Sequence, residues 1–310
     1  LRLVRALRFA IALECDIDWA TWTSLQKNAH LIRTIAKERI KTELDKVFAW
    51  HNPFWFVALL ESTTMLKWIF PKLYDNIWVE QPIRYHPFDV YTHSLLVLHY
   101  LQWLSDDRLL RYAALYHDVG KVEQYSTYRM KLDEQDIRDV FWSRLNHSVC
   151  GSEFAAIDFR HLGMSNKEVD TIARYVLHHM KPGEIARWSS KHYKKKVRKF
   201  IAEVWPEMTK NLFILTKADV LGQYNPLQSP DLSSIDILID LVDEIIEDEW
   251  RLQLSDLEID GTILMKECDL APGPLLWILL DKAYQRVLDD PTRNDKKILL
   301  DQIQVWIQQS

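Results

Sequence analysis

Five stretches in the middle of the chain carry side chains that can bind metal: His93, His117-Asp118, His147, His178-His179 and Asp219. Neutral imidazoles and carboxylates are the usual ligands of divalent first-row metals. A carboxylate can also bridge two ions, which an imidazole cannot do in such a site. Two ions about 3.5–4 Å apart can activate a hydroxide and clamp a phosphoryl group for in-line displacement. Lys121 follows Asp118 closely. It can neutralise phosphate oxygens, or it can be a lysine favoured by the dipole at a helix C-terminus. A lone His-Asp pair says little. The ordered set says more, because its members end separate apolar segments, where unpartnered polar groups are costly to bury.

Those segments read as helices. Leu3, Ala6, Leu7, Ala10 and Ile11 make one apolar stripe at spacings of three and four. Leu95, Leu96, Leu98, Leu101 and Leu104 make a second, and Ile235 to Ile246 make a third. Arg108–His117 delivers His117-Asp118 just before Gly120, Val169–His179 delivers the His pair, and Phe213–Asp219 delivers an aspartate. Ser165 and Glu168 have capping-box spacing. Gly120 and Pro182-Gly183 are read as stops. Lys37–Leu44 reads as an exposed helix face with interleaved charges. Asp260-Gly261 is the one candidate strand turn, and the run after it is short. The chain is expected to be all-α, in three blocks: 1–80, 81–225 with most of the histidines, and 226–310. Gly222–Ser234, with Pro226 and Pro230, is the expected linker.

Composition narrows the classes. The chain has 310 residues, 48% hydrophobic and 27% charged, which excludes extensive disorder. It has 7 glycines, about 2% against the usual ~7%, too few for the tight turns of a sandwich or barrel. The longest apolar runs, Phe54–Leu60 and Pro274–Leu280, fall far short of the roughly 20 residues of a membrane span. No signal segment opens the chain. A net charge of −5 excludes a globally basic nucleic-acid coat but leaves room for a local basic patch. The three cysteines, Cys15, Cys150 and Cys268, form no CxxC pair. They fit a reducing compartment, and a cytoplasmic location is expected.

The order of the metal-binding set resembles the HD superfamily of metal-dependent phosphohydrolases. Within it, the flanking sequence is similar to the HD-bearing bacterial tRNA nucleotidyltransferase (CCA-adding) and poly(A) polymerase family. The resemblance rests on His93-Ser94-Leu95, Leu115–Lys121, His147–Glu153, Leu162–Asn166 with Glu168, His178–Pro182 and Lys217–Gly222. It reaches both ends. Leu1–Phe9 looks like the helix that closes the family's nucleotidyltransferase head, Lys37–Ile40 like its neck, and Leu257–Leu279 like its C-terminal body. The resemblance implies a multi-helical HD domain flanked by a helical neck and a tRNA-binding-like helical body.

It also implies roles. His93, His117, Asp118 and Asp219 would hold a first divalent ion, with Asp118 bridging. His147 and His178 would complete a second, with His179 as the alternative. The donor types suit Mn, Fe, Co, Ni, Zn or Mg alike. Asp118 and Lys121 would be catalytic, and the reaction would be attack of a metal-activated hydroxide on phosphomonoesters or 2′,3′-cyclic phosphates of nucleotides or RNA ends. The alternative is a non-catalytic, metal-stabilised body that holds tRNA. No Gly-Ser loop with paired aspartates is present; Asp16-Ile17-Asp18 has the pairing without the loop and is assigned to structure. The chain is therefore expected to be a truncated product or half of a split protein, unable to add nucleotides alone and possible partner of a separate head. Arg2 matches the family's nucleotide-reading arginine. Arg2, Arg5 and Arg8 form an exposed basic edge. Lys194, Lys195 and Arg198 of the 191–199 basic run are candidate phosphate contacts, with Trp188 beside them able to stack on bases. Trp277 departs from the family's small residue after its Pro-Gly turn.

Overall fold

The computed structural model describes residues 1–50, 52–81, 87–123, 147–223, 230–248 and 254–308. Among them every regular element is a helix, as the apolar spacing requires, and no helix is long and apolar enough to cross a membrane. The chain divides into two units, Leu1–Gly183 with Asn211–Leu232, and Glu184–Lys210 with Ser233–Ser310.

The first unit opens with α1 (Arg2–Ala12), α2 (Trp19–Asn28), α3 (Lys37–Phe48) and α4 (Pro53–Ser62). Asp18 caps α2 by accepting from the Thr21 amide at 3.0 Å, a structural use for the second aspartate of the Asp16-Ile17-Asp18 stretch. Two of the expected exposed faces are only partly so. Arg2 and Arg5 are exposed, but Arg8 is buried and donates to Glu43 at 2.7 Å. The reason lies in α3, which turns Ile40, Leu44, Val47 and Phe48 inward and carries Glu43 with them. Burial raises the proton affinity of Glu43, but Arg8 and Lys46 outweigh it and hold the carboxylate ionised.

Next come α5 (Val90–Leu101), α6 (Arg108–Tyr116), α7 (His147–His161) and α8 (Asn166–His178). Asp89 caps α5, Asp107 caps α6, and Ser165 with Glu168 forms the capping box of α8. Helix α6 buries every residue from Leu110 to Tyr116, which makes it the central rod of the unit. Tyr112 stacks on Phe48 with ring centroids 3.8 Å apart. Phe159 of α7 packs edge-on against Tyr112 and tilts against Tyr116. Arg111, fully buried, has acceptors for its whole guanidinium: the carbonyls of Phe48, Trp50, Gln102 and Ser105, and the Asp106 carboxylate.

Pro182-Gly183 does not stop a helix. The break falls at His179, and Pro182 sits in the first turn of α9 (Met180–Ala186), where its missing N–H is not needed. Helix α10 is Tyr193–Val204, and α11 is Pro206–Gly222. Of the expected linker, Pro226 lies outside the described residues.

The second unit contains α10, α12 (Ser233–Asp248), α13 (Gly261–Glu267), α14 (Pro274–Asp289) and α15 (Lys296–Gln308). Its core is Leu264, Leu279, Ala283, Val287, Leu299 and Ile303. Asp260-Gly261 starts a helix rather than a hairpin, because the Asp260 carboxylate caps α13 through the Ile263 amide at 2.7 Å.

A four-charge ring joins α3, α6 and α8. Arg108 bonds Asp45 and, at 2.7 Å, Glu168; Lys41 bonds Asp45 at 2.6 Å and Glu168 at 3.2 Å. Glu168 is also the capping residue, accepting from the Ser165 amide at 2.9 Å. Burial opposes its ionisation, yet these donors pull its carboxyl down to about 2. A depressed carboxyl stabilises the fold above its unfolded value and loses that contribution as pH falls toward the folded value. Stability is therefore expected to drop on the order of 2 kcal/mol from pH 4.5 to 2 on account of this group. In urea titrations across that range, Glu168→Gln should flatten the acid limb; an unchanged slope would remove the ring from the account. Arg111→Lys, which cannot reach five acceptors, should cost roughly 3 kcal/mol by the same measurement.

Candidate metal centre

Each histidine reaches the centre from a helix end or the first turns of a helix. His93 is in the first half of α5, His117 caps the end of α6, His147 opens α7, and His179 caps the end of α8. Helix ends leave carbonyls without intrahelical partners, and two of the rings use them. His117 Nδ1 lies 2.8 Å from the Ala114 carbonyl, and His179 Nδ1 lies 2.6 Å from that of Val176, each three residues back. His93 Nδ1 faces the Gly222 carbonyl at 3.4 Å. Donation from Nδ1 sets the neutral tautomer in which Nε2 carries a lone pair. All three Nε2 atoms point into the centre.

The ligand atoms fall into two groups, His93, His117 and Asp219, and Asp118, His147 and His179, each within 4.8 Å. Asp118 lies against both. Its Oδ2 is 3.2 Å from His117 Nε2 and 3.6 Å from His93 Nε2. Its Oδ1 is 3.1 Å from His147 Nε2 and 3.7 Å from His179 Nε2. Asp219 Oδ1 completes the first group, 3.0 Å from His93 and 3.7 Å from His117. Its side chain is 23% exposed, against 4% for Asp118, so the centre opens on the Asp219 side.

The donor set fits a cation. His93 and His117 bring their Nε2 atoms to 3.3 Å, with Asp219 beside them. Two lone pairs and a carboxylate so close repel unless positive charge lies among them. Burial disfavours a protonated His117, but Asp118 and Asp219 overcome it and raise its affinity for a proton. Burial, followed by His147 and His117, drives His179 down to about 3, so it is a neutral ligand at physiological pH. Burial also opposes charge on Asp118 and Asp219. Lys121 and His117 keep Asp118 well below the usual range, and His93 and His117 do the same for Asp219.

Lys121 is neither at the surface nor a simple helix-terminal lysine. It is buried, 2.5 Å from Asp118 Oδ2 and 2.7 Å from the side-chain oxygen of Gln81. Gln81 in turn donates to the Phe88 carbonyl at 3.2 Å. Sequence reasoning missed Gln81, since a lone glutamine between Glu80 and Pro82 carries no motif. It also took Gly120 only as a stop. A Cβ there would overlap the His147 carbonyl oxygen and lie 2.6 Å from the Gly151 amide nitrogen. Gly120 therefore lets the start of α7 close onto Asp118. Gly222 does the same for α5, since a Cβ would stand 2.8 Å from Val97 Cγ2.

Several predicted residues lie elsewhere. His178, expected to complete the second group, is not in it; its neighbour His179 is, because the 100° helical step turns only one of two successive residues toward a given side. Arg2 and Arg5 belong to α1, and Arg5 lies over the Phe9 ring. Lys194 pairs with Glu244 at 3.0 Å and Lys195 with Asp289 at 2.8 Å, both in the second unit, where Arg198 also lies on α10. Trp188 and Trp277 are both exposed, Trp188 with the Lys196 ammonium 4.1 Å from its ring centroid.

Residues 90–223, which hold the whole centre, match the family profile described as HD domain. Residues 16–76 match the profile described as probable RNA and SrmB-binding site of polymerase A. A 123-residue stretch is 34% identical to the multifunctional CCA protein of Nitrosococcus oceani, covering 39% of this chain and 30% of that relative. An HD domain is thus what the fold and centre define. The second profile and the relative make the chain similar to CCA-adding and poly(A) polymerase proteins, of which it matches only a part.

Two substitutions separate geometry from composition. His179→Ala should lower the divalent metal retained by the purified protein, measured by elemental analysis, whereas His178→Ala should leave it at the wild-type level. Gly120→Ala should lower metal content with all ligands intact, and should reduce stability by roughly 3 kcal/mol from backbone overlap. Wild-type metal content in Gly120→Ala would show that α7 need not approach so closely.

Proposed function

We propose that the HD domain is a metal-dependent phosphohydrolase acting on phosphomonoesters or 2′,3′-cyclic phosphates of nucleotides or RNA ends. The observation that carries this reading is the placement of Asp118, whose two carboxylate oxygens face two separate ligand groups. His93, His117, Asp118 and Asp219 would hold one ion, and Asp118, His147 and His179 a second. Ions held there would supply an activated water and neutralise charge on the phosphoryl group. The chain's own residues do the rest. Backbone carbonyls hold three rings in the ligand tautomer. The partly exposed Asp219 marks the side from which a phosphate ester enters. Lys121, held by Gln81, sits within reach of a phosphate oxygen that approaches Asp118, where it would offset developing negative charge.

A second reading has its own support. Lys121 already binds the bridging carboxylate, and residues 16–76 match a profile named for RNA binding. On that reading the HD domain is a metal-stabilised body that holds tRNA for a nucleotidyltransferase head on a separate chain or on sequence beyond this one, in the cytoplasm. The functional blocks would be 1–80, 81–225 and 226–310.

Phosphatase and 2′,3′-cyclic phosphodiesterase assays across divalent metals separate the two. Under the first reading, turnover depends on the metal and falls by at least about a thousandfold in both His117→Ala and Asp118→Ala. Metal bound at the centre without turnover under any condition favours the second.

A further inference from the structure

The basic run 191–199 is largely committed to contacts within the second unit. Lys195 and Lys199 both engage Asp289, at 2.8 and 3.0 Å. Lys194 is paired with Glu244, and the Lys196 ammonium lies over the exposed Trp188 ring. Burial works against charge on Asp289, but the two lysines hold its carboxylate below the usual range. These pairs bind α10 to the C-terminal end of α14, and a concave surface remains beside them.

That surface is a cleft of about 610 Å³. Lys195, Lys282, Arg286 and Arg293 line it together with Asp289 and Asp290, so the wall carries two more cations than carboxylates. Both carboxylates already have partners. Asp289 has the two lysines, and Asp290 accepts from Arg293 at 3.0 Å and from the Thr292 hydroxyl at 2.6 Å. Lys282 and Arg286, one turn apart on α14, enter no ion pair among the described residues. Arg286 Nε is buried without a hydrogen-bond acceptor, and Asp289 Oδ1, which keeps its ion-pair contact with Lys199, is buried without a hydrogen-bond donor. A buried guanidinium N–H without an acceptor is unusual in a folded protein.

We propose that this cleft is a binding site for a phosphate group. The two-charge excess suits an anionic phosphate, whether one phosphomonoester or successive diester links. A planar guanidinium beside an ammonium is the pairing that recognises phosphate oxygens. A cation would be repelled, and a neutral ligand would leave the excess unanswered. The site is built entirely from the second unit and uses no metal ligand, so it does not rest on the hydrolase reading. The phosphate can belong to a small phosphorylated molecule or to an RNA backbone, and both present anionic phosphate oxygens to Arg286 and Lys282.

The test uses the whole chain in EDTA, so that the metal centre contributes nothing. Inorganic phosphate is titrated by calorimetry, and a short single-stranded RNA without terminal phosphates is titrated by fluorescence anisotropy. Arg286→Gln and Lys282→Gln are each expected to weaken binding by about tenfold or more, while Lys297→Gln, an exposed lysine outside the cleft, leaves it unchanged. Circular-dichroism melting checks that the variants fold; Lys282 is exposed, so its substitution carries the test if Arg286→Gln does not fold. RNA binding that inorganic phosphate competes away, with the same sensitivity, identifies a nucleic-acid backbone as the source. Phosphate binding without RNA binding identifies a small phosphorylated ligand. No saturable binding of either probe, or binding indifferent to both substitutions, overturns the proposal.

Discussion

A carboxylate buried to the depth of Asp118 must be answered by positive charge or donors on every side. Lys121 does so directly, and the Nε2 atoms of His93, His117, His147 and His179, all within 3.7 Å, would do so through the cation they are placed to hold. This requirement organises the first unit. The ends of α6 and α8, the start of α7 and the inner face of α5 have to converge on one atom pair. Helix ends suit the task, because their free carbonyls orient the imidazoles that arrive there.

Convergence needs helices that approach closely and do not shift. Gly120 and Gly222 permit the approach, each where a side chain would meet a neighbouring backbone. Arg111 and the ring of Lys41, Asp45, Arg108 and Glu168 resist shifting. Arg111 ties the end of α3 and the turn after α5 to α6 through carbonyls that would otherwise be buried without donors. The charged ring ties α3 to α6 and α8. The segment resembling an RNA-binding neck is thereby fastened to the helices that carry the metal ligands.

The second unit follows a different electrostatic plan. Its cations face its own carboxylates across α10, the start of α11, α12 and α14, and that pairing leaves a surplus concentrated at one cleft. In a chain with a net charge of −5, such a local surplus sets what the surface attracts.

Much of this was legible in the sequence because helices write their period into it. The stripes along α1 and α12, the capping box at Ser165 and the ordered His and Asp positions are local patterns, and the all-α class followed from them. Other features depend on residues far apart in the chain. Whether His178 or His179 joins His147 is set by the rotation of α8 at its end, where one residue changes direction by about 100°. Arg8 reads as one of three evenly spaced surface arginines until α3 places Glu43 opposite it. Gln81 acquires a role only because Lys121, 40 residues later, turns inward. Gly120 reads as a helix stop, yet its use comes from α7 packing against it. Local spacing determines which residues lie on a helix and on which face. Packing alone decides which faces meet, since the burial and charge pairing that drive it join residues with no neighbourly relation in sequence.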